Sequence, residues 1–498
     1  MTFLRLATLT SLVGFVVSVC LQVLPGQDVS SGKASEQRPN ILFAIADDWG
    51  WPHASAYGDA VVQTKTFDRI AREGMLFQQA YISSPSCTPS RGAILTGQYH
   101  WRLKTGANLY GPFLDEFTTY VEVLEQAGYV SGGSGKTWGP GRTQTRGRHL
   151  TGKKFKDFGE FMGSRSTDKP FVYWLGSYDP HRPYNRHSGA KSGMDLSKVH
   201  MFGHYPDHKM IRGDVADYYL EVQRFDRVVG SALRALEKSG ELKNTLVVMT
   251  GDHGMPFPRA KSNLYDAGSR VPLAIMWGDN VRPASRNAAF VSLTDLAPTF
   301  LQAAGVAVPK DMTGHSLLGL LTGKDNGKDR GQVVFGKERH VPSQEGPDLG
   351  GYPGRAIRTN RYLYIRNFTP DRWPNGTPNF EKAVKPGYWY ADTDNGPTKT
   401  YIVNNRDKDA AHRRAFDLCF AKRPAEELYD VVLDPDQLTN LAGKAAMSKV
   451  MSELWQRLES ELRASGDPRV LGGGAKFDQF PYSGGGPKHP GWGKRKKK

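Results

Sequence analysis

Ile41-Leu42-Phe43-Ala44-Ile45-Ala46 runs unbroken into Asp47-Asp48, an apolar stretch of strand length that ends on two carboxylates. The form recurs twice. Phe171-Val172-Tyr173-Trp174-Leu175 leads into Asp179-Pro180-His181, and Leu246-Val247-Val248-Met249 leads into Asp252-His253. Continuous rather than alternating apolar runs mean strands buried on both faces, as in a parallel sheet covered by helices. Helical patterns lie between them. Residues 216–240 place Val222, Phe225, Val229, Ala232, Leu233 and Leu236 on one stripe that stops at Gly240, and Phe67, Ile70 and Ala71 form a shorter stripe ending at Gly74. Strands alternating with helices predict a doubly wound α/β architecture, a large mostly parallel sheet flanked by helices. Ligands collect outside the carboxyl ends of such strands, where each apolar run here delivers its polar residues.

Beyond about residue 340 the texture changes. Gly350-Gly351-Tyr352-Pro353-Gly354 precedes Arg355-Ala356-Ile357-Arg358 and Tyr362-Leu363-Tyr364-Ile365; a later Glu427-Leu428-Tyr429-Asp430 leads to a helical stretch at 447–462. These predict a smaller C-terminal α+β domain over 341–471, after a main domain over 38–340. Residues 472–498 read as a Gly/Pro-rich, basic tail that wraps rather than packs. At the other end, Arg5 and the apolar run 6–24 read as a signal peptide over 1–26, followed by a polar linker over 27–37. A retained anchor is the alternative reading of that run.

Composition is that of a globular chain, with 39% hydrophobic and 23% charged residues, and its 498 residues can bury a large core. The net charge is +16, of which the leader holds only Arg5. A basic exported protein suits polyanions: nucleic acid, anionic lipid or sulfated polysaccharide. Setting Cys20 aside with the leader leaves Cys87 and Cys419, so no disulfide framework is expected.

Cys87 stands in Ser86-Cys87-Thr88-Pro89-Ser90-Arg91-Gly92-Ala93-Ile94-Leu95-Thr96-Gly97, where a turn meets the start of a predicted helix. This resembles the C-x-P-S-R and L-T-G signature of type I sulfatases. The resemblance implies an alkaline-phosphatase-like fold and oxidation of Cys87 to formylglycine, whose hydrate attacks sulfur. It also implies one divalent cation, Ca²⁺ in preference to Mg²⁺, held by Asp47, Asp48, Cys87, Asp252 and His253. Hard carboxylate oxygens suit that ion, and the imidazole is the one soft ligand. Arg91, one turn after residue 87, is expected to hold the aldehyde hydrate or sulfate.

Gly135-Lys136-Thr137-Trp138-Gly139 is similar to the family's G-K-x-H-x-G segment. Lys136 matches its sulfate-binding lysine, while Trp138 replaces its histidine; His149 is a candidate substitute. His181 matches a histidine that contacts sulfate and protonates the leaving group. Lys261 matches a second sulfate-binding cation, with Arg259 as its rival. Catalytic roles thus fall on Cys87, Arg91, Lys136, His181 and Lys261.

Pro256-Phe257-Pro258 with Asn263-Leu264-Tyr265, the Asp179–Arg182 segment and Ser292-Leu293-Thr294-Asp295 look most like the N-sulfoglucosamine sulfohydrolases. That resemblance implies removal of an N-linked sulfate from a sulfated carbohydrate. Substrate-reading candidates are the loop around His340, Tyr352 and Arg355, and residues 366–375. The expected partners are the carbohydrate and a formylglycine-generating enzyme, without nucleic acid or stable membrane insertion; a homodimer is left open. Three alternatives stand beside this reading: an O-sulfatase on another polysaccharide, a phosphodiesterase or phosphonate hydrolase, and an unconverted sulfated-glycan binder.

Overall fold

The computed structural model describes residues 38–143, 149–324 and 330–493. The signal peptide, the linker and the terminal lysine-rich run expected from sequence lie outside the described residues. Eight strands form the larger sheet: β1 (Asn40–Ala46), β2 (Met75–Tyr81), β3 (Val130–Ser134), β4 (Lys153–Lys154), β5 (Phe171–Gly176), β6 (Thr245–Gly251), β7 (Leu273–Met276) and β8 (Ser285–Ser292). Their spatial order is β4-β3-β5-β1-β6-β7-β2-β8. Only β7 opposes its neighbours, pairing antiparallel with both β6 and β2. The sheet is therefore mostly parallel, as the unbroken apolar runs predicted.

The side-chain alternation within those runs explains them. On β1, Leu42, Ala44 and Ala46 enter one apolar core, and Ile41, Phe43 and Ile45 enter another on the opposite face. On β6, Val247 and Met249 face the first core and Leu246 and Val248 the second. With helices on both sides, neither face can be polar. The predicted stripe of the 216–240 segment is buried in the first core, on a helix that begins earlier and spans Lys209–Lys238. Its start is set by the His208 side chain, which accepts from the Met210 N–H.

A second, antiparallel sheet has the order β12-β11-β10-β9, from β9 (Gln332–Lys337), β10 (Gly354–Thr359), β11 (Tyr362–Asn367) and β12 (Glu426–Asp430). Its first strand lies upstream of the boundary expected at residue 341. The helix Ser448–Ala464 covers one face with Leu454, Leu458 and Leu462 against Val334, Ile357, Tyr364 and Leu428. No helix among the described residues is long and apolar enough to cross a membrane.

Four adjacent strands aim their carboxyl ends at one place. β3 leads to Lys136, β5 to His181, β1 to Asp47-Asp48 and β6 to Asp252-His253. The backbones there touch closely. A Cβ on Gly176 would fall 1.8 Å from the Lys136 carbonyl, and one on Gly135 would fall 2.1 Å from the Gly176 carbonyl. Only glycine at both positions lets the β3 and β5 exits come this near.

Candidate active site

Residue 87 is the first residue of α1, the buried helix Cys87–Thr96. Cys87 Sγ lies 3.6 Å from Asp47 Oδ1 and 3.2 Å from His253 Nε2. Ligand atoms of Asp47, Cys87, Asp252 and His253 all lie within 4.8 Å of one another. Asp48 adjoins them, with its Oδ1 3.3 Å from His253 Nε2. The five predicted ligands thus converge.

Their hydrogen bonds prepare them to bind a cation. His253 Nδ1 donates to the Gly254 carbonyl at 3.1 Å, which turns the Nε2 lone pair toward the cluster. Asp252 Oδ1 accepts the Asp48 N–H at 2.8 Å, and its Oδ2 accepts Arg91 Nε at 2.8 Å. Asp48 Oδ1 is buried without a hydrogen-bond partner, a costly condition for a carboxylate oxygen. Three carboxylates, one of them with an orphaned oxygen, fit a hard divalent cation.

Two ammonium groups complete the charge balance. Lys136 Nζ donates to both Asp47 oxygens at 2.6 Å. Lys261 Nζ donates to Asp48 Oδ2 and to Asp394 Oδ2, each at 2.9 Å. Burial opposes ionisation of Asp47, but Lys136, then His181, Arg91 and Lys261, outweigh it and hold the carboxyl far below the usual carboxylate range. Asp394 behaves the same way: burial is outweighed first by Lys261. Burial drives the Cys87 thiol far up, so the unmodified side chain is not a thiolate at neutral pH.

These groups open into a cavity of about 720 Å³ lined by Asp47, Cys87, Lys136, His181, Lys261 and His340 among others. His181 Nδ1 donates to the Arg182 carbonyl at 2.6 Å, and Nε2 sits 3.9 Å from Asp48 Oδ2. Arg91 does not line the cavity. Its guanidinium reaches Asp252 and the carbonyls of Lys136, Thr137 and Ala46, tying three strand exits together. Arg259 is also committed elsewhere, to the Leu418 and Gln437 carbonyls, which leaves Lys261 as the cation at the site.

Other expectations separate. Trp138 packs edge-on against Phe113, and His149 is exposed and away from the cavity. Arg355 is fully buried between Glu338 and Asp467, so it cannot read a substrate. Tyr352 lines a different, small cavity beside Lys337 and Asn367. Arg366 pairs with Glu426 over the Trp455 ring, and nothing from 366–375 lines the reaction cavity. His340 alone of that group does. It is buried beside residue 87, with Nδ1 2.8 Å from Ser86 Oγ, and burial pushes its imidazole well below its ordinary value, keeping it neutral.

Asp394 was not foreseen. It rides on a turn clamped by Lys399, whose Nζ donates to the carbonyls of Trp389, Tyr390 and Thr393 and to Asn395 Oδ1 at 2.8–3.1 Å. A Thr-Asp-Asn turn carries no periodic signal, and its nearness to Lys261 arises only on folding.

The sulfatase family model matches residues 39–160 and 134–306. The chain belongs to the sulfatase family. A model described as N-sulphoglucosamine sulphohydrolase, C-terminal, matches residues 251–374 of this sulfatase. Human N-sulphoglucosamine sulphohydrolase is 28% identical to it, over 86% of this chain and 91% of the human protein. An ulvan-active sulfatase of Formosa agariphila is 25% identical, over 93% and 82% respectively. Two solved structures share the fold. One, described in complex with its substrate D-glucosamine-2-N,6-O-disulfate, has a TM-score of 0.61 at 22% identity and covers 86% of this chain and 99% of its own. The other, the phosphonate monoester hydrolase of Agrobacterium radiobacter, has a TM-score of 0.64 at 17% identity, covering 87% and 97%.

Proposed function

We propose that this sulfatase removes sulfate from a sulfated carbohydrate, with an N-sulfated glucosamine as the favoured group, using formylglycine made from Cys87 and one calcium ion. The observation that carries the reading is the placement of residue 87 against Asp47 and His253, in a cavity that also exposes Lys136, Lys261 and His181. The similarity to human N-sulphoglucosamine sulphohydrolase supports the N-sulfate preference. The apolar run 6–24 supports export, periplasmic or secreted.

Asp47, Asp48, Asp252, His253 and residue 87 would hold the calcium, which supplies positive charge against the sulfate oxygens and favours ionisation of a nearby hydroxyl. Converted residue 87 supplies, as its hydrate, the hydroxyl nucleophile that a buried thiol at neutral pH cannot.

The chain's own groups do the rest. A sulfate ester is anionic and repels nucleophiles, so cations must meet it. Lys136 and Lys261 are kept protonated by their carboxylate partners and present that charge at the cavity floor. The first turn of α1 adds backbone N–H groups and the positive end of its dipole. His181 has Nδ1 committed to a carbonyl, so Nε2 is the atom at which it can exchange a proton with the departing amine or alcohol.

Mass spectrometry across residue 87, together with turnover on matched substrates, tests the reading. Conversion lowers the peptide mass by about 18 Da, the difference between a thiol and an aldehyde side chain. The expected protein is converted and releases sulfate from sulfated glucosamine faster than phosphate from the matched ester. An unconverted thiol in the native host, or dominant phosphate release, rejects it.

A further inference from the structure

The reaction cavity has a wall that the proposed chemistry does not use. Gly485, Gly486 and Pro487 line it alongside Cys87 and His181. They belong to a strap from the Gly/Pro-rich tail, held at both ends. Upstream, the buried Arg339 donates to the carbonyls of Phe480 and Pro481 at 2.8 and 3.0 Å. Downstream, the Trp389 N–H donates to the Pro487 carbonyl and the His489 N–H to the Gly387 carbonyl, while His489 stacks on Phe380 with centroids 4.0 Å apart.

Between those anchors the strap lies flat on aromatic rings. A Cβ on Gly484 would come 2.2 Å from the Tyr110 ring, and one on Gly486 would come 2.9 Å from both Tyr388 and Val341. Gly485 differs: a Cβ there would meet nothing within 4 Å, and the residue is exposed at the cavity wall. Its carbonyl accepts from Tyr482 Oη at 2.6 Å. Among the described residues, the N–H groups of Gly485 and Gly486 and the Gly486 carbonyl meet no partner. Three successive glycines fixed in this way lose much conformational entropy, and what they gain is close approach of a backbone to whatever fills the cavity.

We infer that residues 482–487 are a substrate-contacting wall, whose free peptide groups at Gly485 and Gly486 hydrogen-bond the hydroxyls of the sugar, and that glycine at 485 sets the room left for it. The inference rests on the sulfated-carbohydrate reading. A polyhydroxylated ring offers donors and acceptors to both kinds of peptide group. An aryl sulfate has no ring hydroxyls and keeps its acceptor oxygens on the sulfate and any ring substituent, so it lacks the sugar's array of donors and acceptors.

The test compares Gly485→Ala and Gly485→Trp with the parent enzyme on two substrates. One is 4-nitrophenyl sulfate; the other is a disaccharide with D-glucosamine-2-N,6-O-disulfate at its non-reducing end. The ratio of kcat/KM on the disaccharide to that on the aryl sulfate is expected to fall modestly for Ala and at least about tenfold for Trp, the scale of about 1.4 kcal/mol, chiefly through KM. An unchanged ratio overturns the wall. Calorimetric binding of the same disaccharide to Cys87→Ala, with and without Gly485→Trp, removes the dependence on turnover. Weaker binding with Trp supports the wall even if no sulfate is released by the parent, which would reject the sulfatase reading alone. Equal binding overturns the wall whatever the activity.

Discussion

Lys261 is gripped by two carboxylates, Asp48 on β1's exit and Asp394 on a distant turn. Replacing Asp394 with Asn leaves the shape but removes half of that grip. Steady-state kinetics should then show kcat/KM on a sulfate ester reduced about 10–100-fold, the usual loss when a partner of a functional group is removed, with partial recovery in Asp394→Glu. His181→Ala should slow poor leaving groups by about 10²–10⁴-fold while sparing activated aryl sulfates; equal losses on both would remove His181 as the acid. At this scale the sequence showed residues that follow strands and failed on charged ones. Arg355 looked like a loop cation but is neutralised in the interior by Glu338 and Asp467. A buried ion pair and a solvated one use the same letters, and only tertiary contact tells them apart.

The helix Lys209–Lys238 lets burial be read within one element. Phe225 is fully buried and Val228, three residues on, is 47% exposed. Phe225→Ala should cost about 3–5 kcal/mol in urea unfolding through lost transfer and a residual cavity. Val228→Ala should stay within about 0.5 kcal/mol. The same contrast decides which elements were legible. β1, β5 and β6 are buried on both faces and announce themselves as apolar runs. β8 begins at the sheet edge, where Ser285–Asn287 are partly exposed, and reads as loop until Phe290. β4 is two exposed lysines and carries no pattern. The C-terminal tail was legible as a wrapping segment from its glycines and prolines, but the place it wraps was not.

Across the whole molecule, the clustered charges tie stability to pH. Asp47 and Asp394 have their carboxyls lowered in the folded chain, whereas in the unfolded chain they titrate near about 3.9. As pH falls, the unfolded state therefore binds protons first. The stabilisation is present in full above that value and is lost as pH falls below it toward the folded values. Thermal melts of the metal-free protein from pH 7 to 3 should show Tm falling at the acid end, and Asp394→Asn should flatten the fall. Adding calcium at pH 7 should raise Tm, and chelation should reverse it, because a ligand held only by the native cluster shifts the equilibrium by mass action.

Every residue of α1 is buried, and Cys87 itself is only 3% exposed. The flanking backbone from residue 81 to residue 100 is buried with it, so in the folded chain a second protein would have no grip on that segment. On the formylglycine reading proposed above, the aldehyde would have to be installed before the chain collapses around residue 87. On that same reading, protein that folds unconverted would be stable but inert, and unfolding it in the presence of a formylglycine-generating enzyme should restore activity.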